Sequence, residues 1–440
     1  MISIRKLAVA STALTIVALS ASAVAAPPSP EQLTGLGFSP ARLNYIDQFY
    51  NAKVKNGEMA GIVILIARHG KIAHLSAIGY ADIEKSRKMT PDIIFRAYSM
   101  TKPIAAVALM TQYEQGYFQL DDPISKYIPE LANLKVLRTP MSPITDTVPA
   151  EREPTIHDLL RHTAGFSHGL LSNAVDREYV DQDILSIDTS LAVMMTKLAN
   201  IPLLYQPGAT FNYSIAPDIE ARLVEIFSGM AFNEFLNTRI FKRLDMKDTA
   251  YWIGADRSDR VATLYWSKNG VLTPLDESHG FPKQLGPVAD PRSVNSYTGE
   301  HPRKGGSFGL LTTAQDYWHF GQMLLDRGDF NGDRILSPLV VDYMVRSHLD
   351  PIQREGLKKG ADFGKGLDWG LGLAIVKDPV ASGLMSSEGS FFWYGLGDTH
   401  FWVDPKEDMV VVALVQDMEN PGDADLLLQI RTLTYSALMK

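Results

Sequence analysis

The chain has 440 residues, 45 % of them hydrophobic and 21 % charged, which suits a folded protein with a large core and excludes a disordered or collagen-like chain. Its formal charge is minus 8, without long runs of one sign, so nothing recommends nucleic acid as a partner. The absence of cysteine excludes thiol nucleophiles, disulfides, iron–sulfur clusters and cysteine-ligated zinc, and leaves nucleophilic chemistry to oxygen or nitrogen.

Arg5 and Lys6 precede an apolar stretch over residues 7–21, and Ala23, Val24 and Ala25 form the small-residue pattern of a signal-peptidase site. Residues 1–25 are therefore expected to be a cleaved secretory signal. Their removal takes away two cations and no acid, leaving a charge of minus 10. A cysteine-free exported chain suits the bacterial periplasm or exterior. The alternative, an uncleaved anchor, is disfavoured by the Ser and Thr that dilute the stretch, and no later segment has the length of a membrane span.

Helical spacing follows over residues 40–56, then the β-branched run Gly61–Arg68, a hairpin turn at His69, Gly70 and Lys71, and a second strand over residues 72–78. Residues 155–161, 215–227 and 233–244 have helical periodicity, separated by loops rich in Pro, Gly and Asp. The segment GDFNGD at residues 328–333 lacks the ligand spacing of a calcium loop and is read as an Asn331-Gly332 turn. Strand patterns at residues 399–403 and 409–415 flank a turn at 404–408, and a helical pattern runs from 423 to 438. The expected architecture is of the α/β (α+β) class. An antiparallel sheet is built from both chain ends and flanked by helices, and a mainly helical subdomain is inserted between them. The α/β part is placed at about residues 30–115 and 300–440 and the helical part at about 116–250, within one domain over residues 26–440.

Two segments match G-x-S-x-G, around Ser167 and Ser307. That motif works only where a strand enters the turn and a helix leaves it. Ser167 follows a helical stretch and Ser307 follows Arg303 and Lys304, so the glycines are read as turn formers. The competing motif is S-x-x-K at Ser99 and Lys102. Chance supplies roughly one such match in a chain of this composition, and the other one, Ser3 to Lys6, falls in the signal stretch. Around Ser99 the context is favourable: Pro103 suits a first helical turn, and an apolar helix follows. Residues i and i+3 are neighbours on a helix, so the Lys102 amine can approach the Ser99 hydroxyl, and burial lowers its pKa toward that of a usable base. Among ten histidines no H-E-x-x-H occurs, so no zinc frame is indicated.

The S-x-x-K lies in FRAYSMTKPIAA. It is followed in order by LLRHTAGF at 159–166, PGATFNYS at 207–214, GGSFGLLTTAQD at 305–316, WGLGL at 369–373 and FWYGLGDTHFWVDP at 392–405. With these six blocks the chain resembles the serine β-lactamase-like hydrolases, in particular class C β-lactamases and family VIII carboxylesterases, over most of its length. The resemblance implies an α/β domain plus a helical domain. It also implies Ser99 as nucleophile, Lys102 as its base partner and Tyr213 as the Tyr of the Y-x-N element. Trp393, Tyr394 and Gly395 stand at the K/H-T-G element, and the backbone N–H groups of Ser99 and Leu396 at the oxyanion position. No metal or organic cofactor is implied.

Two departures bear on substrate. Ile215 stands where Y-x-N ends in Asn, and Trp393 where K/H-T-G begins with a cation. The chain thus lacks the two side chains that would read an amide and a carboxylate. An aromatic at the third element is similar to the W-G-G of family VIII esterases, although Tyr394 replaces its middle Gly. His162 is read as structural, and the orientation of His400 is left open. The expectation is an exported serine hydrolase of carboxylic esters, acting on a small molecule through an acyl-enzyme on Ser99. The alternatives are a β-lactamase or D-alanyl-D-alanine carboxypeptidase, and a non-catalytic relative that binds peptide or cell-wall fragments.

Overall fold

Gly61–Arg68 forms strand β1, buried at all eight positions, as expected of a β-branched run in the middle of a sheet covered on both faces. His69 and Gly70, both left-handed with φ of 54° and 67°, turn the chain into β2, Lys71–Asp82. β2 outruns the predicted strand because its last residues pair with a short β3, Arg87–Lys88. The other strands come from the far end of the chain: β4 Leu367–Trp369, β5 Ala374–Val376, β6 Phe391–Gly395, β7 Thr399–Asp404 and β8 Met409–Leu414. The eight-stranded sheet has the order β4-β5-β6-β7-β8-β1-β2-β3 and is antiparallel throughout. Its central seam joins the two ends of the chain, with Val63 opposite Leu414 and Arg68 opposite Met409. The expected fold class is what the structure contains.

The computed structural model describes residues 27–169, 173–268, 271–275, 296–360, 364–418 and 425–439, so the signal stretch lies outside the described residues. Helix α1, Pro40–Lys55, starts on a Ser39 cap with Pro40 in its first turn and buries Leu43, Ile46 and Tyr50 along one stripe. It packs on β2 and on the C-terminal helix, Asp425–Ser436. Helix Ala314–Leu325 covers β1, β7 and β8. Between the sheet and the helical part runs α2, Thr101–Glu114, buried from Thr101 through Gln112. A helix buried all round is a core element, and Lys102 is the single cation in it.

In the helical part, α3, Ile156–Leu160, is capped by Thr155 in a capping box with Asp158. Helix α4, Ala216–Ser228, ends at Gly229 in the left-handed region and packs along α2. The predicted helix over 233–244 is shorter, Phe232–Leu236, and continues as a π-helical turn over Asn237–Phe241. Asn331 and Gly332 have φ of 54° and 84° and join two paired dipeptides, Asp329–Phe330 and Asp333–Arg334, a tight Asn-Gly hairpin. Among the described residues no helix is long and apolar enough to cross a membrane.

Candidate active site

Ser99 sits in the 3₁₀ turn Tyr98–Met100 that feeds α2. Its neighbours Tyr98 and Met100 are buried while Ser99 is partly open. Tyr98, immediately before it, has φ of 45°, a left-handed conformation that costs a bulky residue of order 1–3 kcal/mol, and Ser99 lines a cavity. On the next turn Lys102 is almost wholly buried, and its Nζ donates to Ser99 Oγ at 3.2 Å and to the Ser307 carbonyl oxygen at 2.7 Å. Burial is the largest influence on Lys102 and pushes its pKa down to about 7, against the pull of Asp218, with Arg303 lowering it further and Glu220 raising it. A large fraction of this amine is therefore neutral near pH 7.

Tyr213 comes from the loop before α4. Its hydroxyl oxygen is hydrogen-bonded to Ser99 and accepts from Trp393 Nε1 at 3.1 Å, and its ring lies 4.8 Å from Lys102 Nζ. Burial raises the phenol's pKa above its ordinary value and outweighs those two hydrogen bonds, which lower it. Tyr213 therefore stays a phenol at any physiological pH. Ser99, Lys102 and Tyr213, expected together from sequence, meet around one hydroxyl.

The first motif after the S-x-x-K holds Tyr213 in place. Asp158, fully buried on α3, accepts from Arg152 Nη1 at 2.6 Å, Arg161 Nη2 at 3.0 Å, Thr163 Oγ1 at 2.8 Å and the Thr155 backbone N–H at 3.0 Å. Burial alone works to raise its pKa, and these donors overcome it and hold the carboxyl well below the usual range. The loop pinned in this way carries His162, whose backbone oxygen accepts from Asn212 N–H. The His162 ring bonds Ser214 Oγ at 3.1 Å and packs 4.8 Å from the ring of Tyr213. Burial pushes His162 well below its ordinary pKa, so it is a neutral packing residue. Trp369, from WGLGL, closes the aromatic cluster against His162 and Trp393 at 5.2 and 4.6 Å.

The cavity over Ser99, about 420 Å³, is lined by Tyr98, Lys102, His168, Leu185, Tyr213, Ser214, Ile215, Ser307, Phe308 and Leu396. Ile215 and Leu396 thus reach the cavity, whereas Trp393 acts on it through Tyr213. Gly395 instead packs against the Ala97 carbonyl, where a Cβ would stand 2.4 Å from the oxygen. Tyr394 stacks on His400 with ring centroids 5.9 Å apart, and His400 Nε2 lies 2.6 Å from Asp398 Oδ1. The ring of His400 is thus taken up by β6 and β7 neighbours and does not line the cavity over Ser99. A second, neighbouring cavity shares only Tyr98 and Phe308 with it.

Sequence reasoning missed His168, whose pKa burial pushes down to about 4 although Asp176 opposes this, and it missed the part played by Ser307. In the sequence Ser307 stands in a G-x-S-x-G whose glycines suit a turn. Its backbone oxygen, which no residue code announces, is what anchors Lys102. Among the described residues no group of three or more His, Asp or Glu could hold a metal ion.

A serine beside a buried lysine and a tyrosine, in a pocket of a fold that combines helices with an antiparallel sheet, fits a serine hydrolase of the β-lactamase and transpeptidase fold. The Beta-lactamase family model matches residues 46–435, and the chain belongs to that family. An uncharacterized protein of Mycobacterium tuberculosis is 33 % identical over 82 % of this chain and 86 % of its own length. Esterase EstB of Burkholderia gladioli is 27 % identical over 89 % of this chain and 94 % of its own. Among solved structures, EstCE1, described as a hydrolase with promiscuous acyltransferase activity, superposes with a TM-score of 0.74 at 26 % identity, covering 92 % of this chain and all of its own.

Proposed function

We propose that this serine hydrolase is an exported esterase that cleaves uncharged carboxylic esters through an acyl-enzyme on Ser99. The observation that carries the reading is the pair of partners on one hydroxyl: Lys102 Nζ at 3.2 Å and the phenol of Tyr213, which is itself held by Trp393. Neutral Lys102 accepts the Ser99 proton as Oγ bonds to the ester carbon. The oxyanion forms beside the backbone N–H groups of Ser99 and Leu396. Collapse breaks the bond to the alcohol, which takes the proton of Tyr213, and Lys102 restores that proton. Water then repeats the sequence on the acyl-enzyme and releases the acid. Tyr213 suits the donor role because it remains a phenol, hydrogen-bonded to Ser99 and held in place by Trp393.

The preference for esters over β-lactams or peptides rests on Ile215, an apolar lining residue where Y-x-N would end in Asn, and on Trp393, which supplies no cation where K/H-T-G begins. An esterase among the relatives supports it. Ser99→Ala should abolish turnover of short-chain aryl esters, and a fluorophosphonate should add its mass to Ser99 alone. An adduct on Ser167 or Ser307 would sink the assignment. A higher kcat/KM for a chromogenic cephalosporin than for an aryl ester would move the β-lactamase reading ahead, since specificity is a ratio. Absence of acylation by any ester, amide or β-lactam would favour a binding role.

A further inference from the structure

Two charged side chains that the mechanism above does not use lie behind Lys102. Arg303 Nη2 and Asp218 Oδ1 are 2.7 Å apart, and both side chains are buried. Asp218 stands in the first turn of α4, next to Pro217. Arg303 opens the short segment that ends at Ser307, the residue whose carbonyl oxygen anchors Lys102 at 2.7 Å. Between them come Gly305 and Gly306, and neither has room for a side chain. A Cβ on Gly305 would stand 2.3 Å from Asp218 Oδ1, and one on Gly306 1.9 Å from the Pro217 carbonyl oxygen. From the other side Tyr251 Oη donates to the Gly305 carbonyl at 2.7 Å. The segment is therefore pressed onto the start of α4.

A buried ion pair is a poor way to gain stability, because desolvation consumes most of its attraction. This one leaves Arg303 Nε and Asp218 Oδ2 without hydrogen-bond partners. What only charges supply is a field at Lys102.

We infer that the Arg303–Asp218 pair is a positioning element for the Ser99 chemistry: it clamps residues 303–307 so that the Ser307 carbonyl orients Lys102, and its two opposite charges act together on the Lys102 amine. The groups that face that amine are Asp218 and Glu220 from α4, Arg303 from the clamped segment, His162 and His168 from the loop after α3, and the ring of Tyr213. Both histidines are held neutral by burial. Asp218 favours the protonated amine and Arg303 the neutral one, so removing either alone drives Lys102 in opposite directions.

The inference builds on the ester-hydrolase reading, and its test includes a readout that does not need turnover. In protein labelled with ¹³Cε-lysine, the Lys102 signal is identified by its loss in Lys102→Arg and titrated by NMR, alongside the pH profile of kcat/KM for an aryl ester. Asp218→Asn should lower the Lys102 midpoint and the acid limb by roughly one pH unit, and Arg303→Gln should raise both by roughly as much. Arg303→Lys, which keeps the charge, should return the midpoint to the wild-type value. Unmoved midpoints in the first two variants, or shifts in the same direction, overturn the inference.

If either single variant fails to fold, the neutral double variant Asp218→Asn/Arg303→Gln replaces it. It should keep a nearly wild-type midpoint and lose about tenfold in kcat at unchanged KM, the size expected from loosening one hydrogen bond. Wild-type kcat in the double variant overturns the clamp. If the unaltered protein neither turns over esters nor labels on Ser99, the functional reading fails, and the NMR midpoints still decide the role of the ion pair.

Discussion

In the proposed mechanism Lys102 is the residue on which the chemistry turns, because its ionisation decides whether Ser99 has a base. With its pKa pushed down to about 7 by burial, kcat/KM should rise with pH through that region as the amine loses its proton, and then level off. Lys102→Arg keeps the charge at all accessible pH values and should abolish that rise together with nearly all activity. Trp393 is a milder case. It donates to Tyr213 Oη at 3.1 Å and packs with ring centroids 5.2 Å apart, so Trp393→Phe keeps most of the packing and removes the donor. A lost hydrogen bond of about 1–1.5 kcal/mol corresponds to roughly tenfold. The loss should fall on kcat with KM little changed, since Trp393 acts on Tyr213 and not on bound substrate. Steady-state kinetics on one aryl ester check both expectations.

At the scale of elements, α3 and α4 carry opposite kinds of buried carboxyl. Asp158 on α3 is saturated with donors and held below its ordinary pKa. It therefore contributes stability above its unfolded value of about 4, and that contribution is lost as pH falls below this toward its folded value. Asp158→Asn should cost about 3 kcal/mol at pH 7, as for other broken buried pairs, and the gap between variant and wild type in urea unfolding should narrow on acidification from about pH 4. Glu220 on α4 is buried with Oε2 unpartnered. Burial pushes its pKa up to about 8, and only partly does Lys102 oppose this. Its folded pKa lies above its unfolded one, so its contribution is greatest below about pH 4 and declines as pH rises toward 8. Glu220→Gln should remove that decline and unfold at higher urea than wild type at pH 9, by about 1 kcal/mol or more. Equal midpoints at pH 9 would show that Glu220 is not the strained acid described.

For the whole molecule, what was legible in the sequence was whatever is local or periodic. The β1–β2 hairpin could be read from a β-branched run and a Gly turn, and the Ser99 and Lys102 pairing from helical spacing, because each depends on residues a few positions apart. Tyr213 and Trp393 needed the resemblance, since nothing in their immediate surroundings marks either one. The Ser307 carbonyl and the Arg303–Asp218 contact were illegible for a different reason. A backbone oxygen has no letter of its own, and the close approach that forbids a side chain at Gly305 and Gly306 comes from α4, far away in the chain. Gly305 and Gly309 match the letters of an elbow motif around Ser307, but Gly305 lacks a Cβ because Asp218 leaves no room for one, and Gly309 because its φ is 122°.

The seam between β1 and β8 also governs the order in which this protein can assemble. β1 has its hairpin partner at once, but its other edge stays open until the chain has been completed through Leu414. The next contacts are later still: Ser39 N–H donates to the Ala437 carbonyl at 2.8 Å and Met439 N–H to the Gly37 carbonyl at 2.8 Å. Such a high contact order slows folding, because a long loop must close before the seam rewards it. An exposed apolar strand edge meanwhile invites association with other chains. In pulse-labelled hydrogen exchange during refolding, the amides of β8 and of the C-terminal helix should therefore gain protection last, and the yield of native protein should fall as chain concentration rises.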